Sequence, residues 1–274
     1  MSIDKSVMNA PANPMEIFKT LPGSNCGECK ESACMAFAVK VFKNDADPSQ
    51  CPHIGHEMAR RFAANRKNIG SVEEGFQKAL EKSKRELANL DLSKAAQRLN
   101  APYSMGRLTL KMLGKDVSVD SNGNLSSDIH LHGWVALPFF DYIINGSGKA
   151  PSGNWVPFRE LKHGRDYAPL FKRRCEAPMK KIADTRPPLF NDLIHIFNGK
   201  QAENHYQSDI ALVTHPLPAI PMLICHWAAD EGLESDLKLF FDSNVQENIG
   251  IGSLYQMAAG MVVMFEKLAQ RHGF

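Results

Sequence analysis

"NCGECKESACMAFAVKVFKNDADPSQCP", residues 25–52, holds four of the six cysteines of the chain: Cys26, Cys29, Cys34 and Cys51. Their spacing is C-x2-C-x4-C-x16-C. Three uses of four thiols compete. Disulfides need an oxidising compartment. A structural zinc site usually draws its ligands as two short pairs, each on a tight turn. Here three cysteines fall within nine residues and the fourth stands alone. That grouping suits a cubane cluster, in which one loop wraps three corners and a distant segment closes the fourth. Pro52 follows the last cysteine, as in the bacterial ferredoxin run. The spacing therefore predicts one [4Fe-4S] cluster, with Cys26, Cys29, Cys34 and Cys51 as its ligands.

The residues between the ligands fit this geometry. "MAFAVKVFKN" reads as a helix of about 16 Å, with Ser32 as a candidate N-cap. The return segment from Asn44 to Gln50 reaches up to about 23 Å if extended, enough to bring Cys51 back to the first three. The helix start, with its free N–H groups and partial positive charge, would face an anionic cluster. Gly27 would let the backbone approach the sulfurs. Phe37, Val39, Val41 and Phe42 read as the core of a small module.

The stretch "LPGSNCGECKESACMAFAVKVFKNDADPSQCP" resembles the iron–sulfur module that opens the large subunit of the corrinoid iron–sulfur protein of the acetyl-CoA pathway. The likeness covers about fifty residues. It lies in the Asn-Cys-Gly-x-Cys opening, the x4 step, the Cys-Met-Ala-Phe-Ala helix start and the closing Cys-Pro. The resemblance implies a low-potential [4Fe-4S] cluster on the same four cysteines. It also implies a single-electron role in returning Co(II) corrinoid to Co(I). That subunit continues as a barrel, for which this chain is too short.

Outward from the cysteines, the composition is that of a soluble globular protein: 274 residues, 43% apolar, 23% charged, net charge +2. The charge gives no reason to expect nucleic acid. No basic patch followed by an apolar run opens the chain, and no apolar stretch has the length of a membrane span. A cytoplasmic protein with reduced thiols is expected. Residues 53–99 read as helix, with Met58, Phe62 and Ile69 on one side. Arg60, Arg61, Arg66 and Lys67 form either a solvated face or a docking patch for an acidic redox partner.

The expected organisation is α+β: a helical iron–sulfur module with helical linker over 1–100, then a mixed α/β domain over 101–274. In the second region "RLTLKML" and "DVSVD" alternate around Gly114 as a hairpin, and "SNGN" marks a turn. "IHLHGWVALPFFDYIIN" reads as an apolar helix kinked near Pro138. "DIALVTH" and "AIPMLICHW" read as buried strands, "LKLFFD" as a strand or helix end. "SLYQMAAGMVVMFEKLAQRHG" reads as a closing amphipathic helix. "SGNWVPFREL", "SDIALVTHPLPAIPMLICHWAADEG" and "LKLFFDSN" resemble an uncharacterised domain that often follows this iron–sulfur module in anaerobes. Its acidic-aromatic-proline run stands here as "DEGLES", without aromatic or proline.

Other candidate sites are weaker. "GSGKAPSGNW" lacks the upstream glycine and the Ser/Thr of a phosphate loop. Asp128, His130 and Gly133 fit D-x-H-x-x-G, a cobalamin-binding signature, but no strand before it and no Ser-x-Leu after it stand in the expected place, and the chain has no Gly-Gly. These residues read as a helix start. Cys175 and Cys225 read as inert packing, with His226 the remaining soft-ligand candidate. His195, His205 and His215 lack metal spacing, and Trp134, Trp155 and Trp227 read as core. No nucleophile has a recognisable partner, so the sequence leaves the enzyme question open. An electron carrier is expected, between a ferredoxin-like donor and a protein acceptor; the resemblance implies a corrinoid protein as acceptor. The alternatives are a cluster that staples or senses, and an enzyme fed by the cluster through a pocket in the second region.

Overall fold

A computed structural model describes residues 11, 14–43, 45–127, 133–202, 205–230 and 232–271. The side chains of 63–73, 133, 189, 191, 193 and 195 are outside that description. The chain divides into two compact units, Met1–Lys78 and Ala79–Phe274.

The first unit is helical. Helix α1 (Pro14–Phe18) opens on proline, whose fixed φ suits a first helical position. Helix α2 (Cys34–Phe42) buries Cys34, Phe37, Ala38 and Val41, an i, i+3, i+4, i+7 stripe. Helix α3 (His56–Ala88) begins here. Ile17, Leu21, Phe37, Val41, Ile54 and Phe62 form one small core. Asp47 caps the short turn Pro48–Gln50, its Oδ1 accepting the Ser49 N–H at 2.9 Å.

The second unit starts inside α3. Leu87 is fully buried in its core, as are Leu92, Ala95, Ala96 and Leu99 around helix α4 (Leu92–Arg98). The sequence expectation put the boundary at residue 100; packing puts residues 79–99 with the second unit. The expected helix over 53–99 stops at Ala88 and restarts, because Asp91 turns out to cap α4 by accepting the N–H groups of Ser93 and Lys94.

Two antiparallel sheets follow. The first runs β1 (Tyr103–Ser104), β2 (Arg107–Met112), β3 (Lys115–Asp120), β4 (Leu125–Ser127) in sequence order. The β2–β3 hairpin pairs Met112 with Lys115 across Leu113 and Gly114, both with positive φ. That two-residue turn matches the twist of the flanking strands and is why glycine stands at 114. Helix α5 (Gly133–Asn145) contains Pro138. The second sheet has the order β5-β9-β8-β7-β6, from β5 (Trp155–Pro157), β6 (Lys200–Gln201), β7 (Ile210–Leu217), β8 (Ile220–Trp227) and β9 (Asp236–Asp242). "LKLFFD" is thus a central strand. Between β5 and β6 lie α6 (Gly164–Phe171), a wide π-type turn (Lys172–Glu176), α7 (Ala177–Thr185) and α8 (Pro187–Ile196). Helix α9 (Ile251–Arg271) closes the unit.

The strands sort their side chains by parity. Leu212, Met222, Ile224, Leu239 and Phe241 join the main core with Met257, Met261 and Phe265 of α9. Ala211, Leu223, Cys225 and Phe240 form the opposite face, edged by Trp155 and Trp227. Helices and antiparallel sheets together make the expected α+β architecture.

The loop over 146–154 is tied down twice. The Asn248 side chain accepts the Gly148 N–H at 2.9 Å and donates to the Lys149 carbonyl at 2.8 Å. The Asp242 carboxylate, on a residue 1% exposed, accepts the N–H groups of Ser152, Gly153 and Asn244 at 2.7–2.9 Å. Lys149 pairs with Glu247 at 3.6 Å.

Candidate metal centre

The loop before α2 is folded by four positive-φ residues close together: Gly23, Asn25, Gly27 and Lys30. The Lys30 N–H closes a turn on the Gly27 carbonyl at 2.9 Å. Its start is then locked to its end, because the Asn25 Oδ1 accepts the Cys34 N–H at 2.8 Å. The expected cap Ser32 does not serve: the N-cap position is Ala33, whose side chain cannot accept, and Asn25 takes over from nine residues away. Asparagine suits both demands, since it tolerates the left-handed region and carries an acceptor oxygen. Asn25→Ala should therefore cost the first unit about 1 kcal/mol. The iron-loaded protein should also release metal to a chelator several-fold faster, followed by its visible absorbance.

Three segments deliver the cysteines. Cys26 and Cys29 come from the loop, Cys34 from the first position of α2, and Cys51 from just after the Pro48–Gln50 turn. Cys29, Cys34 and Cys51 are 6–7% exposed and share the core of Ile17, Phe37, Ile54 and Phe62. Cys26 is exposed. Its sulfur, a Glu28 carboxylate oxygen and a His53 ring nitrogen lie within 4.8 Å of one another, with His53 Nε2 3.2 Å from Glu28. Among the described residues this is the one group of three such ligands that close, and none of the described cysteines forms a disulfide.

The residues fit an iron–sulfur group. Three soft donors, Cys29, Cys34 and Cys51, share an apolar nest with Ile17, Phe37, Ile54 and Phe62, and the fourth, Cys26, stands on the same loop as Cys29. The start of α2 directs its positive end to Cys34.

Nearby, Arg60 is exposed, Met58 packs on the small core, and the Arg61 guanidinium reaches the Met58 sulfur at 4.0 Å. The side chains of Arg66, Lys67 and Ile69 lie outside the described residues.

The second unit assembles no comparable donor set among its described residues. Cys175 is fully buried in the wide turn, and burial, with the Glu176 charge beside it, pushes its thiol up to about 12. Burial likewise raises Cys225. Both thiols should stay protonated and resist iodoacetamide at pH 8 in the native protein, while both label after denaturation; mass spectrometry reads this out. The His226 Nε2–H donates to the Asp184 Oδ1 at 2.8 Å, and its Nδ1 is buried without a partner. The Asp184 carboxylate also takes hydrogen bonds from Lys180 and Ser235. Burial alone would raise that carboxyl, but the bonds from His226, Lys180 and Ser235 outweigh it and hold it below the usual range.

Trp134 packs where α9 has Gly260, whose added Cβ would sit 2.2 Å from the indole. Trp155 and Trp227 edge the second face of the larger sheet. His205 meets Trp155 edge-on, and His215 projects from β7 to the surface. The His195 side chain, Asp128 and His130 lie outside the described residues; Gly133 opens α5.

Comparison with known proteins follows the same division. Residues 21–53 match the family described as "Putative Fe-S cluster", so the first unit is an iron–sulfur module. Residues 91–264, more than half of the chain, match the family described as "Domain of unknown function (DUF3786)", and the chain belongs to that family. The curated relatives align with the first unit alone. Subunit gamma 2 of the acetyl-CoA decarbonylase/synthase complex of Methanosarcina thermophila is 47% identical over 51 residues, 19% of this chain and 10% of that protein. The corrinoid/iron-sulfur protein large subunit of Moorella thermoacetica is 41% identical over 44 residues, 16% and 10% of the two chains. The chain thus spans about a tenth of the length of the relatives it matches. No solved structure matches significantly. No helix among the described residues is long and apolar enough to cross a membrane.

Proposed function

We propose that Cys26, Cys29, Cys34 and Cys51 hold one [4Fe-4S] cluster in a cytoplasmic electron-transfer protein of anaerobic metabolism. It takes single low-potential electrons from a ferredoxin-like donor and hands them to a protein acceptor, a corrinoid protein first among the candidates. The observation that carries the reading is the gathering of Cys29, Cys34 and Cys51, from three segments, in one buried core, with Cys26 on the same loop as Cys29. Three cysteines close in sequence and a distant fourth suit a cubane better than the paired ligands of a zinc site. The likeness to a corrinoid/iron-sulfur large subunit and to gamma subunits supports the acceptor class.

A bound cluster supplies reversible one-electron chemistry. The chain supplies the rest. Phe37, Ile54 and Phe62 share a core with Cys29, Cys34 and Cys51 and would keep water from a group held there. The exposed Cys26 leaves one edge open to a docked partner. Asn25 holds the loop against the start of α2.

A second reading, the cluster as a structural staple or oxygen sensor, draws on the three separate segments that the cysteines join. Anaerobic potentiometry followed by mixing with a Co(II) corrinoid protein separates them. Reversible reduction and formation of Co(I) are expected. A cluster that only decomposes on reduction would favour the staple.

A further inference from the structure

The larger sheet is left open at one place. Strand β5 ends at Pro157, which has no N–H to continue the ladder, so β9 is paired on that side only at Phe240–Asp242. Beside the open part lies a cavity of about 620 Å³ between β9, the turn after β5 and α6. This is within the range of about 300–1,000 Å³ that small organic ligands occupy.

The cavity has an apolar side made by Pro157, Ala168, Pro169 and Phe240, the last stacked on Tyr206 at 4.4 Å. Behind it the Phe158 and Phe171 rings stack at 4.0 Å and 8° within the main core, each 2% exposed. Gly164 makes this packing possible: an added Cβ would lie 2.0 Å from the Phe158 carbonyl oxygen. The one carboxylate in the lining, Glu176, is committed. Its Oε1 accepts the Leu239 N–H of the open β9 edge at 3.3 Å, and its Oε2 faces Lys238 at 4.0 Å.

Three further cations line the same space: Arg159, Arg165 and Lys172. None of them makes an ion pair or side-chain hydrogen bond among the described residues. The cavity thus presents four cations against one engaged carboxylate. Arg165 and Lys172 are seven residues apart, two turns along one side of α6, with Ala168 and Pro169 leaving room between them. Lys172 begins the wide turn, where the Ala177 N–H reaches back to the Lys172 carbonyl. Such turns inside helices occur often at functional sites.

We propose that this cavity binds a small organic dianion: a flat ring body against the apolar side of Pro157, Ala168, Pro169 and Phe240, with carboxylate or phosphate groups between Arg159, Arg165 and Lys172. The proposal is independent of the cluster. Titration calorimetry on the full iron-loaded chain tests it with four probes: naphthalene-2,6-dicarboxylate, adenosine monophosphate, adenosine and inorganic phosphate. At least one of the two ring-bearing anions should bind about tenfold or more tighter than adenosine and inorganic phosphate. Which of the two binds assigns carboxylate or phosphate.

The double variant Arg159→Ala/Arg165→Ala should weaken that binding about tenfold or more. Lys82→Ala/Lys94→Ala, on other surfaces, should not. Ala168→Trp should block the site while leaving the unfolding temperature near that of the parent, which separates a filled cavity from a misfolded chain. Failure of both ring-bearing anions to bind below about 1 mM would overturn the proposal. So would equal binding of all anions, or insensitivity to the arginine pair.

Discussion

Cys51→Ala should reduce iron from about four atoms per chain to near none and unfold the first unit on its own. Cys51 is the sole cysteine of the return segment, held in place by the Asp47-capped turn and buried among Phe37, Ile54 and Phe62. Without its sulfur the loop and the start of α2 have nothing to close onto. A core this small supplies no more than about 3–5 kcal/mol, so ligand binding is folding free energy for the module. The second unit has its own large core and should melt as before. Iron and sulfide analysis, with circular dichroism melting of both forms, reads the two effects separately. Full iron retention in Cys51→Ala would remove it from the ligand set.

Asp242→Ala should destabilise the second unit by about 3 kcal/mol, because three backbone N–H groups lose the one buried carboxylate that ties the 152–153 loop and Asn244 to β9. Asp242→Asn should lose less, keeping an oxygen but not the charge. Burial alone would raise the Asp242 carboxyl, yet the N–H groups of Ser152, Asn244 and Gly153 prevail and hold it below the usual carboxylate range. The sign follows from linkage. A depressed native carboxyl stabilises the fold above its unfolded value, and that stability is lost as pH falls through the native value. The parent should therefore lose denaturant resistance below about pH 4, and Asp242→Ala should show a flatter acid limb. An unchanged acid limb in the variant would mean that Asp242 does not carry the linkage.

Much of the second unit was legible from period and punctuation. Alternation in residues 107–120 with Gly114 between them gave the hairpin, and the apolar runs at 210–217 and 220–227 became adjacent strands. The short strands β5 and β6 were not legible, because two or three residues carry no period and owe their pairing to β9 and β7. The unit boundary was hidden for a different reason. Helix α3 runs unbroken through it, so nothing in composition marks where Phe62 packs on one core and Leu87 on another.

At the candidate metal centre the spacing of the four cysteines is the whole sequence signal, and the fold places three of them in one core. The role of Asn25 was not legible, since a cap acting from nine residues away depends on a loop whose shape appears only in three dimensions. The cluster of Glu28 and His53 around Cys26 was missed likewise, though His53 stands two residues after Cys51. The cavity beside α6 left one trace in sequence: Arg165, Ala168, Pro169 and Lys172 at helical spacing, with small residues between the cations.

The most direct test of the cluster assignment is metal and sulfide analysis of the anaerobically purified chain, with a visible spectrum before and after dithionite. About four irons and four sulfides per chain, with a broad absorption that bleaches on reduction, are predicted. One zinc without iron, held by a compact set such as Cys26, Glu28 and His53, would contradict it.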